Sequence, residues 1–113
     1  MAKTTRIPLD QEQLRVSAAI LRALAHPLRL RIVAFLLDRP SANVQNIYAL
    51  LGVEQSVASQ HLRVLRMAGM VRAEREGKNV LYQINEERLV RAGQVAHQLA
   101  AVTTRKNTPN AAQ

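Results

Sequence analysis

The chain has 113 residues, the length of one modest domain, and 48% of them are hydrophobic but only 3% aromatic, so packed helices rich in Leu, Ile, Val and Ala must build its core. It contains no cysteine, which excludes disulfides, thiolate metal sites, thiol sensing and cysteine nucleophiles. Sixteen Lys and Arg against eight Asp and Glu leave a formal charge of +8; this favours a polyanionic partner, since each neutralised phosphate releases condensed counterions, although a basic excess also serves solubility alone.

The first residues, Met-Ala-Lys-Thr-Thr-Arg, are polar and carry no apolar signal region, and no run of about 18 apolar residues occurs anywhere. A cytoplasmic protein without membrane contact is the expectation. Residues 1–9 are expected to be a flexible arm, residues 10–102 the folded domain, and residues 103–113 a disordered polar tail.

Asp10 followed by Gln13 resembles a helix-opening cap, and Leu14, Ala18, Leu21 and Ala25 recur at helical spacing, so a first helix is expected over residues 10–24. Pro27 suits the first turn of a second helix over residues 27–37, which is apolar on most sides and is expected to be the buried centre of the fold. Asn43 can cap a third helix, with Val44, Ile47, Leu50 and Leu51 facing inward and Gly52 ending it in the left-handed conformation. A fourth helix over residues 55–67 follows almost at once. Ala58, Leu62 and Leu65 form its apolar stripe, while Ser56, Ser59, Gln60 and Arg63 share the opposite face. The period then changes to two. Val71, Ala73 and Arg75 alternate with Arg72, Glu74 and Glu76, and Val80, Tyr82 and Ile84 alternate with Leu81 and Gln83, with Gly77-Lys78 as the turn of a basic-tipped hairpin. Asn85, Glu86 and Glu87 open a last helix carrying a stripe of mostly small residues: Leu89, Ala92, Gly93, Ala96 and Leu99/Ala100.

Two short helices around a glycine turn, followed by a two-stranded hairpin, are the order of a winged helix-turn-helix: mainly α, about five helices plus a two-stranded wing. In that arrangement the second helix of the pair enters the DNA major groove. Its residue types fit. Gln60 can pair bidentately with adenine and Arg63 with guanine or phosphate, while Ser56 and Ser59 let the backbone come close. The candidate DNA-contacting set is Gln55, Ser56, Ser59, Gln60, Arg63 and Arg66 on this helix, with Arg75, Lys78 and Asn79 on the hairpin. An ordinary solvated helix surface is the plainer alternative.

The stretches Leu21–Ile32 (LRALAHPLRLRI), Gln55–Leu62 (QSVASQHL), Leu65–Val71 (LRMAGMV) and Arg75–Tyr82 (REGKNVLY) resemble the ArsR-type bacterial transcriptional repressors. The resemblance covers roughly residues 14–100. It implies a homodimer whose first and last helices pair and whose fourth helices meet an inverted-repeat operator in double-stranded DNA. The implied interface residues are Leu14, Ala18, Leu21, Leu89, Ala92, Gly93, Ala96 and Leu99. Two positions depart from the family pattern: Tyr48 stands where a small Ala is common, and Glu54 where a capping Ser or Thr is common. A carboxylate can still cap, but it repels nearby phosphates.

Many relatives sense metals, through cysteines on the third helix or four ligands on the last. Here the third helix has no cysteine, and the last-helix positions read Glu86, Arg88, Leu99 and Val102, so one oxygen donor remains and no metal site is expected. His97 alone is expected to be packing or surface. His26 is expected to cap the second helix, and His61, on the fourth helix, to pack locally or bond to the hairpin, with a base contact as the alternative. No paired carboxylates, nucleophile–base sets or glycine-rich phosphate loops occur, so no enzyme and no cofactor is expected. Two other readings remain: a sequence-independent nucleic-acid-binding or architectural protein, supported by charge alone, and a dimeric interaction module without DNA binding.

Overall fold

A computed structural model of the chain describes residues 10–111, with side chains over residues 10–101. The elements are α1 (Gln11–Leu24), α2 (Pro27–Leu37), β1 (Ala42–Asn43), α3 (Val44–Leu51), α4 (Gln55–Met67), β2 (Val71–Glu76), β3 (Asn79–Ile84) and α5 (Glu86–Ala111). Most helices begin where a side chain satisfies a free amide. The Asp10 carboxylate accepts from the Gln13 N–H at 2.7 Å, and Asn43 and Asn46 cap each other's backbone reciprocally. Asn85 Oδ1 accepts from the Arg88 N–H at 3.4 Å. The exception is α4. Glu54 holds the capping position but makes no side-chain capping bond, although a carboxylate there could have capped.

Ile20, Ile32, Ile47, Leu62, Leu65, Met70 and Val71 are fully buried at the centre, where α1 to α4 meet the base of the sheet. Tyr48 is half-buried against this core. The second helix is less enclosed than its composition suggests. Ile32, Val33 and Leu36 are buried, but Leu30 and Leu37 lie about half exposed on its other side. Apolar residues on all sides do not make a helix central when neighbours cover only one of them.

The wing has three strands rather than two, in the order β1-β3-β2, both pairings antiparallel. Ala42 and Asn43 pair with Tyr82 and Leu81, a strand too short to show alternation in sequence. The tip is a two-residue turn in which Gly77 takes φ +62°, a conformation only glycine adopts freely. Gly52 does the same between α3 and α4 at φ +68°, its N–H bonding the Tyr48 carbonyl at 2.9 Å.

α1 packs along α5. α5 itself extends to Ala111. The arm of residues 1–9 lies outside the described residues. Of the side chains assigned to a subunit interface, Ala92 is buried in the protomer's own core and Leu89 is half-buried against it. Ala18 is half-buried, whereas Gly93 and Ala96 are exposed. So are Leu14 (42%), Leu21 (38%) and Leu99 (47%), joined by Val90 (56%), which the sequence reading did not include.

Candidate nucleic-acid interface

The face of α4 follows from its apolar edge. Ala58, Leu62 and Leu65 are no more than 1% exposed and anchor the helix, which turns Gln55, Ser56, Ser59, Gln60, Arg63 and Arg66 outward, all exposed. Met67 beside them is 76% exposed. The hairpin register sorts the wing in the same way. Arg75 pairs with Val80 and Ala73 with Tyr82, so Arg75 lies on the face that carries buried Val71 and packs toward α4. Arg72, Glu74 and Glu76 occupy the opposite face. Lys78 and Asn79 are exposed at the tip.

Cation partners divide along the same line. Arg15 and Arg91 pair with Glu12 and Glu87, and Arg39 lies 4.6 Å over the Phe35 ring. Arg29, Arg31 and Arg88 donate to the carbonyls of Ala23, Leu50 and Ala68. Arg63, Arg66, Arg75 and Lys78 have no hydrogen-bond or ion-pair partner among the described residues, and neither do Arg22 on α1, Arg72 on the far face of the wing and Arg39, which has only the Phe35 ring. Donors without an internal partner, gathered on one helix face and one side of a wing, suit phosphate and base-edge contacts.

α4 is held at its C-terminal end and along its flank. At its C-terminus Arg88 donates to the Ala68 carbonyl at 3.2 Å, and the Asn85 N–H to the Met70 carbonyl at 2.8 Å. Along its flank the His61 ring lies 4.5 Å from the His26 ring, and Arg29 reaches His61 Nδ1 at 3.4 Å. A guanidinium can only donate, so His61 Nδ1 accepts and its ring is neutral there. His26 Nδ1 accepts from the Leu28 N–H at 3.1 Å, which is the cap expected of it. His61 packs on α2 instead of the hairpin, a long-range pairing that helical spacing does not encode. Burial, then the neighbouring His26 and Arg29, push the His61 imidazole below its ordinary value of 6.5. His97 is exposed on α5, and among the described residues no group of three or more His, Cys, Asp or Glu stands together.

Sequence reasoning missed Tyr82, whose ring packs on the core beside Leu62 while lining a cleft with Arg63 and Arg66. Its alternation with Val80 and Ile84 marks it as inward-facing, but only tertiary packing brings it against α4.

Comparison with known proteins agrees with this geometry. The model of the arsR family of bacterial regulatory proteins matches residues 26–73, from the α2 cap into β2. The HTH-type transcriptional repressor SmtB of Mycobacterium tuberculosis is 39% identical over 82 residues, 73% of this chain and 60% of that protein. The HTH-type transcriptional regulator YgaV of Escherichia coli is 31% identical over 87 residues, 77% of this chain and 85% of that one. Among solved structures, the transcriptional repressor PagR of Bacillus anthracis superposes with a TM-score of 0.63 at 36% identity, covering 67% of this chain and 86% of PagR.

The His61 environment has a measurable consequence. In the unfolded chain the imidazole regains its ordinary value, above the folded one, so the unfolded state binds more protons in the window between them. Stability is therefore complete above pH 6.5 and declines as pH falls toward the lowered folded value. Denaturant unfolding across about pH 5–8 is expected to show this decline, and His61→Gln to flatten it. An equally steep profile in the variant removes this role from His61.

Proposed function

The chain belongs to the arsR family of bacterial regulatory proteins, DNA-binding transcriptional regulators rather than enzymes, and from that premise we propose that it is a homodimeric repressor of an inverted-repeat operator. The observation that carries this reading is the set of unpartnered donors on α4 and the near side of the wing. Gln60 and Arg63, with Ser56 and Ser59, read base edges of a half-site, and Arg75, Lys78 and Asn79 contact the backbone beside it. Two copies related by a two-fold axis read the same half-site twice, inverted.

Pairing uses α1 and α5. Leu14, Ala18 and Leu21 form one stripe on α1, and Val90, Gly93, Ala96 and Leu99 lie exposed on α5. Exposed apolar side chains on two adjacent helices favour a partner helix pair, and glycine and alanine allow close approach. Regulation is not by direct binding of a transition metal or by thiol oxidation. The chain lacks cysteine, and α5 offers Glu86, Arg88, Leu99 and Val102 at the family's metal-ligand positions. Release by an organic ligand between α1 and α5 and repression without any effector both fit these residues. No described helix is long and apolar enough to cross a membrane, and a cytoplasmic site of action accords with a DNA target.

Selection of bound duplexes from a random pool tests the central claim, and an inverted repeat is the expected product. Gln60→Ala or Arg63→Ala should cost about 1–3 kcal/mol and relax preference at one position of each half-site, whereas Arg75→Ala and Lys78→Ala should weaken all duplexes alike and lower the salt dependence. Wing variants that shift sequence preference would reverse these roles, and equal affinity for every duplex would leave an architectural protein.

Ala96→Arg or Gly93→Glu places an unpaired charge in the proposed interface and should give monomers in sedimentation analysis. An unchanged dimer would locate the interface elsewhere. Zinc, nickel, cobalt or copper, each with a chelator control, should change operator affinity by less than about tenfold, roughly 1.4 kcal/mol of coupling.

A further inference from the structure

The cleft between α4 and β3 has a lining unlike that of the other clefts on the protomer. It measures about 440 Å³ and is lined by Ser59, Leu62, Arg63, Arg66, Met67 and Tyr82, two arginines with no carboxylate. The cleft between α1 and α5, by contrast, sets Asp10, Glu12 and Glu87 beside Arg88 and Arg91. Helical spacing places Ser59 and Arg66 one turn either side of Leu62, on the edge of α4 nearest the wing, with Gln60 and Arg63 further round toward solvent.

Tyr82 completes the wall from the other side. It is half-buried against the core, pairs with Ala42 and Ala73 across the strands, and lines the cleft opposite the α4 side chains. Among the described residues its hydroxyl makes no hydrogen bond, so it remains free to donate to a ligand. Hydroxyl-bearing and guanidinium side chains lining one acid-free cleft suit a tetrahedral phosphate oxyanion.

We propose that this cleft seats one backbone phosphate of the bound DNA, held by the Arg66 guanidinium and the Tyr82 hydroxyl with the Ser59 hydroxyl at its rim. The inference rests on the DNA-binding reading and adds a division of labour to it. Arg66 and Tyr82 fix the height and angle of α4 in the groove, and Gln60 and Arg63 read bases. Anchoring from β3 also ties the reading helix and the wing to the same phosphate, so that the two dock as one unit.

Tyr82→Phe tests this with little risk to the fold, because the ring and its cross-strand packing remain. Against the duplex that the wild-type chain selects, and equally against a random duplex, affinity should fall by about 5- to 20-fold. The slope of log affinity on log salt should stay unchanged, because no charge is lost, whereas Arg66→Gln should lower it by about 1. Duplexes carrying one neutral methylphosphonate, walked across the half-site, should reveal one position that weakens the wild-type chain but not Tyr82→Phe. Wild-type binding with an unaffected Tyr82→Phe variant, a changed sequence preference in that variant, or no position of lost sensitivity would overturn the phosphate seat. A wild-type chain without salt-dependent affinity for any duplex would overturn the DNA-binding reading itself, and the seat with it.

Discussion

The rest of the molecule depends on how α4 is held. One narrow edge of the helix, Ala58, Leu62 and Leu65, is buried to within 1% of its surface, and the spacing of these residues confines the apolar stripe to one side. A helix with only one such edge has one stable rotation about its axis, and that rotation sets the direction of every other side chain on it. The wing obeys the analogous rule with period two, Val71 being the buried residue that orients Ala73 and Arg75. Because both elements seat their apolar sides on the same core, Tyr82 of β3 comes to line one cleft with Ser59, Arg63 and Arg66 of α4.

Holding the helix requires more than its apolar edge, and the polar bonds at its flank and end do the remaining work. His61 leans on His26 and Arg29 at the start of α2, and Arg29 in turn donates to the Ala23 carbonyl of α1. Beyond the last turn, Arg88 and Asn85 bond the carbonyls of Ala68 and Met70. The reading helix is thus linked by polar contacts to α1 and α5, the two helices that carry the apolar face proposed for pairing. Anything that moves those helices acts on α4 through short, directional bonds rather than through loose packing.

The same economy governs charge. Most scaffold arginines on α1, α2 and α5, and Arg39 just after α2, take carboxylates, carbonyls or an aromatic ring as partners, Arg22 excepted, which costs them freedom and removes them from competition for DNA. Those on α4 and the near side of the wing keep their donors for solvent. A net charge of +8 describes the whole chain equally. It is the pattern of internal partners that concentrates the available cations on one side.

Much of this was legible in the sequence because it rests on local chemistry. Asp10, His26, Asn43 and Asn85 announce helix starts, Gly52 and Gly77 announce turns, and two periodicities separate α4 from the wing, since capping and amphipathic spacing act over a few residues. The exposed set on α4 followed from the same spacing. Other features depend on which surfaces meet, and no local pattern carries that. A two-residue β1 pairs with β3 across a long stretch of chain, His61 finds α2 instead of the wing, and Ala92 turns into the protomer while Gly93 and Ala96 turn out. Tyr82 reads in sequence as one more inward strand residue. Only the docking of the sheet against α4 sets it half-buried against the core and on the wall of the arginine-lined cleft, because burial is decided by neighbours far apart in the chain.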